Sequence, residues 1–79
     1  MTPAEIDLII EGFRRGGSMT RSNYHAGERI TWSYERESDR FICRTQSLSH
    51  EDCYEHRSEE EMRSYLTNAQ FQWWEDILS

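Results

Sequence analysis

Apolar residues recur along the chain at a spacing that changes twice. Ile6, Ile9, Ile10 and Phe13 fall at i, i+3, i+4 and i+7, a single stripe along a helix. Ahead of the stripe, Thr2 can cap, Pro3 suits the first helical position, and Glu5 stands three residues after the cap, as in a capping box. Gly16-Gly17 ends the pattern, so the spacing predicts a helix over about residues 3–15 with its apolar face laid on another element.

From Met19 to Arg57 the period falls to two. Ile30, Trp32 and Tyr34 alternate with Arg29, Thr31, Ser33 and Glu35, a β-branched and aromatic run that predicts a strand. Gly27-Glu28 fits a two-residue type II′ turn, which makes residues 20–26 the preceding strand. Ser38-Asp39 marks the next turn, followed by a strand over residues 40–46 with Phe41 and Cys43 on one face. A fourth short strand is expected over residues 52–57, after a turn at Ser47-Leu48-Ser49.

Ser58-Glu59-Glu60-Glu61 is a second capping box, and its carboxylates suit the positive end of a helix dipole. Met62, Tyr65, Leu66, Ala69, Trp73 and Ile77 then keep helical spacing to the end, with Asn68 as a possible break. The predicted fold class is α+β: an N-terminal helix, a three- to four-stranded antiparallel sheet, and a C-terminal helix packed on one sheet face. Residues 1–79 form one domain.

Composition narrows the function. A domain of 79 residues buries only about 60% of its unfolded surface, leaving little room for a substrate pocket of ordinary size. Hydrophobic residues make up only 35%, but three tryptophans, four tyrosines and three phenylalanines argue for a thin aromatic core rather than disorder. No apolar run is long enough to span a membrane, and the start lacks a basic then apolar leader, so a cytoplasmic location is expected. The net charge of −6 disfavours direct nucleic-acid binding. All nine cations are arginines, which fits a GC-rich genome and equally fits planar, stacking contacts at an interface.

Candidate chemistry is sparse. His50, Cys53 and His56 with Cys43 offer metal ligands, but the spacing lacks the short C-x₂₋₄-C knuckle of structural zinc sites. A strand over residues 52–57 would also turn Cys53 and His56 to opposite faces. A hairpin centred on Leu48 would set Cys43 across from Cys53, near enough for a disulfide; reduced thiols packing as small hydrophobes are the expectation inside a cell. No nucleophile–base motif, metalloprotease motif or phosphate loop is present. The expectation is no enzyme, no metal and no cofactor.

The acids fall in blocks. Glu35, Glu37 and Asp39 flank one turn; Glu51, Asp52 and Glu55 lie near the last strand; Glu59, Glu60 and Glu61 open the second helix; Glu75 and Asp76 lie near the end. One reading is a solvated surface that keeps a small protein in solution. The other is an acidic face that steers onto a basic groove in competition with nucleic acid. Trp73 and Trp74 would stand about 100° apart on one helix, so only one can face the core. Trp74 is the expected exposed anchor, a residue type enriched at binding hot spots; alternatively Phe71 and Trp74 form the seam of a homodimer.

The order helix, strands, helix is also that of the double-stranded RNA-binding domain. That family needs a lysine-rich start to its second helix, where this chain reads Ser58-Glu59-Glu60-Glu61. The chain more closely resembles the small acidic anti-CRISPR proteins of phages. The likeness lies in size, a single α+β domain, the short strand Arg29-Ile30-Thr31-Trp32-Ser33-Tyr34, and the acidic helix opening Ser58-Glu59-Glu60-Glu61-Met62-Arg63-Ser64-Tyr65. The resemblance implies a non-enzymatic inhibitor that binds the surveillance complex of a type I CRISPR system and blocks its target-DNA binding. Glu59, Glu60, Glu61, Glu35, Glu37, Asp39 and Trp74 are the residues expected to meet such a partner. A small dimeric regulatory subunit without nucleic-acid contact is the alternative.

Overall fold

The computed structural model describes residues 1–23, 25 and 27–78. Helix α1 (Pro3–Arg14) opens on the expected capping box: the Glu5 N–H donates to the Thr2 hydroxyl at 3.3 Å, and the Thr2 N–H to the Glu5 carboxylate at 2.8 Å. Four strands follow, β1 (Met19–Asn23), β2 (Glu28–Glu35), β3 (Arg40–Ser47) and β4 (Cys53–Arg57). They form an antiparallel meander in sequence order, so β1 and β4 are its edges. Helix α2 (Glu59–Thr67), a four-residue helix α3 (Phe71–Trp74) and a 3₁₀ turn (Glu75–Leu78) complete the chain.

Register assigns the faces. Met19, Trp32, Cys43 and Glu55 form one row across the sheet, and Tyr34, Phe41 and Arg57 another on the same face. These rows lie under the helices. Ile6, Ile9, Ile10 and Phe13 of α1 meet them, joined by Met62, Leu66, Trp74 and Ile77. Edge-on ring contacts bind the layers: Phe13 lies 5.8 Å from Phe41 and 6.0 Å from Trp74 between centroids. Buried Gly12 lets the 3₁₀ turn lie directly on α1, since a Cβ there would stand 2.5 Å from Ile77 Cγ2.

Three local expectations change. The first hairpin does not turn at Gly27-Glu28, because Glu28 belongs to β2 and pairs with Asn23. A two-residue turn there would have set Trp32 across from polar Asn23. The longer connection sets it across from Met19, whose side chain can share the core. Gly27 still takes the positive φ of 64°. The predicted strand end at Ala26 lies outside the described residues.

In the last hairpin, Cys43 pairs with Glu55 and Cys53 with Thr45, so the cysteines do not face one another and both are free. The loop over residues 48–52 is longer than the expected turn and shifts the register by two.

At the C-terminus the helix divides at residues 68–70, with Gln70 in extended backbone (φ −87°, ψ 124°). That break resets the helical phase. Trp73, in step with Ala69 and Ile77 on an unbroken helix, is 44% exposed, while Trp74 is 1% exposed. No helix among the described residues is long and apolar enough to cross a membrane.

Candidate functional site

The two acidic segments singled out in the sequence meet at one end of the molecule. The β2–β3 turn carries Glu35, Glu37 and Asp39, and the start of α2 carries Glu59, Glu60 and Glu61. Arg14, in the last turn of α1, lies between them: it ion-pairs with Glu59 and stands 3.6 Å from Asp39. The turn is built to hold Asp39 there. Asp39 takes a positive φ of 52°, which Asp tolerates better than most residues, and accepts a 2.5 Å hydrogen bond from the Tyr34 hydroxyl.

These six carboxylates do not play one role. Glu59 is held below the ordinary glutamate range, first by its hydrogen bond from Arg14 and then by that from Arg63. Arg63 in turn reaches Asp7 on α1 at 2.7 Å, so Glu59 belongs to a bridge between helices. Glu61 is lowered by the Ser58 backbone N–H and hydroxyl of its capping box. Asp39 is lowered by Tyr34 and then by the charge of Arg14. Glu35 accepts from the Ser38 hydroxyl at 2.7 Å. Glu37 and Glu60 are exposed, and their side chains make no hydrogen bond or ion pair among the described residues. Arg36 and Arg40 stand in or beside the same turn, so cations interleave with this acidic end.

Trp74 is not an exposed anchor. Its ring lies inside the core, 5.6 Å from Trp32 and 5.9 Å from Tyr65 between centroids, because the break before α3 turned it inward. The same burial removes it from any homodimer seam. Trp73 is the outward ring, and the Arg21 guanidinium of β1 covers it at 3.9 Å.

Register also separates charge. On the sheet face away from the helices stand Arg29, Arg40, Arg44, Tyr54 and His56, with Glu35 as the one strand carboxylate there among the described residues. Arg44 is engaged by Asp52, to which its Nη2 donates at 2.6 Å. Cys53 and His56 fall on opposite faces, and no three His, Cys, Asp or Glu among the described residues are grouped to hold a metal. Burial pushes the Cys43 thiol up, with the charge of Glu55 adding to it.

On the helix side, the sheet extends past the helices and leaves a groove of about 680 Å³. Trp32, Tyr65 and Trp74 wall it, Ile30 lies in its lining, and Arg21 and Arg57 reach into it. Neither arginine stood out in the sequence. The available signal was their strand parity: Arg21 shares the face of Met19, and Arg57 shares the helix-side face with Glu55 and Cys53. No family model matches the chain, and comparison with curated proteins and with solved structures returns no match.

Proposed function

We propose that this protein is a non-enzymatic binding module that sets its acidic end against a cationic nucleic-acid-binding surface of another protein and inhibits it by occupancy. In its specific form the partner is the surveillance complex of a type I CRISPR system and the blocked step is target-DNA binding. The supporting observation is the convergence of two separate acidic segments at one end, around Arg14. Anionic side chains facing a basic groove accelerate encounter and make it salt-dependent.

Within that end, Glu37 and Glu60 are the contact residues of this proposal, with Glu35 beside them. Glu59, Glu61 and Asp39 contribute charge while serving the fold. The test is association of the purified chain with a type I surveillance complex at several salt concentrations, alongside a target-DNA competition assay. Paired charge reversal, Glu37→Lys with Glu60→Lys, is expected to slow association and flatten its salt dependence while leaving the melting temperature nearly unchanged. Unaltered association by that folded variant, or no association by the wild type, overturns the proposal.

A further inference from the structure

We propose that the groove between the sheet and the C-terminal helices binds a small planar aromatic anion, a ring system carrying a phosphate or a carboxylate. Its size suits such a ligand: about 680 Å³ falls within the range of small-molecule sites. Tyr65, 41% exposed, presents ring surface to it, with the buried Trp32 ring behind at 5.1 Å between centroids. Flat apolar bodies gain contact with such walls at little conformational cost.

The polar groups of the groove select an acceptor. The Arg57 guanidinium lies over both Trp32 (5.4 Å) and Tyr65 (5.1 Å), and its Nη2 donates to Glu55 at 3.0 Å. Its Nε is buried and has no hydrogen-bond partner among the described residues. A guanidinium can only donate, so the missing partner is an oxygen or nitrogen acceptor. Arg21 is the second cation in the lining. Its head rests on Trp73 at 3.9 Å and forms no ion pair among the described residues. Glu55, the one carboxylate in the lining among the described residues, is already answered by Arg57, so Arg21 leaves the groove with uncompensated positive charge in a chain of net charge −6. A phosphate or carboxylate answers the charge of Arg21, and a turn of the partly exposed Arg57 side chain brings its Nε onto a second oxygen of the same group.

Two other concavities lack these features. One, beside Leu48, is lined by polar side chains including Glu28 and Asp52; the other, between α1 and the 3₁₀ turn, contains Arg15, already paired with Glu11. None of the residues lining the groove is one of the six carboxylates of the acidic end, so the two proposals fail independently.

The experiment is tryptophan fluorescence of the full chain, titrated separately with adenosine 5′-monophosphate, 1-naphthoate, adenosine and inorganic phosphate. Saturable quenching by the nucleotide or by naphthoate is expected, with adenosine and inorganic phosphate far weaker, and the better of the first two identifies the anionic group. Arg57→Lys, which removes Nε and the planar fork, and Arg21→Ala are each expected to weaken binding about tenfold or more. Circular dichroism melts establish that each variant is folded, and Arg21→Ala decides the matter if Arg57→Lys is not. Glu37→Lys/Glu60→Lys is expected to bind the same probes unchanged. Saturation by no probe, equal binding of adenosine and its monophosphate, or wild-type affinity in the folded arginine variants overturns the proposal.

Discussion

Adjacent tryptophans with opposite burial offer a direct test of the helix break that sets the C-terminal packing. Trp74 is 1% exposed and touches the rings of Phe13, Trp32 and Tyr65. A buried tryptophan removes about 150–250 Å² from water, worth roughly 4–6 kcal/mol at about 25 cal/mol per Å². Measured truncations of such rings cost about 3–5 kcal/mol, so Trp74→Ala should lose an amount in that range. A chain of 79 residues has total stability of roughly 4–12 kcal/mol; the variant should therefore be close to unfolding at room temperature. Trp73 is 44% exposed, and its main partner is the Arg21 guanidinium above its ring. An exposed cation–π contact contributes about 0.5–1 kcal/mol, so with its partial burial Trp73→Ala should cost about 1–2 kcal/mol. Urea denaturation followed by far-ultraviolet circular dichroism measures both, and Trp74→Phe gives an intermediate point if Trp74→Ala does not fold. Equal losses, or a larger loss at Trp73, would mean that the helix runs through residue 70 unbroken and would refute the phase argument.

Gly12→Ala should destabilise by about 1–3 kcal/mol through overpacking, despite alanine's better helix propensity, because the new methyl meets Ile77 Cγ2 at 2.5 Å. In an Ile77→Ala background the same change should cost measurably less, which a double-mutant cycle by urea titration reads out. Acid should destabilise the fold through Glu59, Asp39, Glu5 and Glu61, all held below their ordinary carboxylate range. A group whose folded-state pKa is depressed stabilises above its unfolded value, and that contribution disappears as pH falls through the folded value. The melting temperature should therefore hold steady near neutrality and drop below about pH 4.5, with a shallower drop in Glu59→Gln; an identical acid limb in that variant would contradict the role assigned to the Arg14–Glu59–Arg63 bridge.

Much of the fold was legible because its elements rest on local rules. Thr2 with Glu5, and Ser58 with Glu61, form the capping boxes their spacing predicts. Ile6, Ile9, Ile10 and Phe13 are buried as their periodicity requires, and Trp32 and Phe41 face inward as alternation requires. The misread positions were those fixed by distant partners. The first hairpin was set by Met19 sharing the core with Trp32, a choice that a glycine-based turn rule cannot see. Trp73 and Trp74 exchanged roles because residues 68–70 leave the helix, and a rotation of about 100° is enough to swap neighbours.

The candidate sites divide in the same way. That Glu35, Glu37 and Asp39 flank one turn and Glu59, Glu60 and Glu61 open one helix was readable from residue order and capping chemistry. That Arg14 would draw these segments to one end, and would engage Glu59 within the fold, depended on where α1 ends relative to the sheet. The aromatic groove with Arg21 and Arg57 left no contiguous motif. Its members come from all four strands, α2 and α3 and meet only through strand register and helix phase. Sequence alone therefore determined the elements, their caps and the charge of each segment, since these rest on interactions spanning a few residues. The tertiary structure alone decided which charges stay free and which rings line a groove, because both depend on packing between residues far apart in the chain.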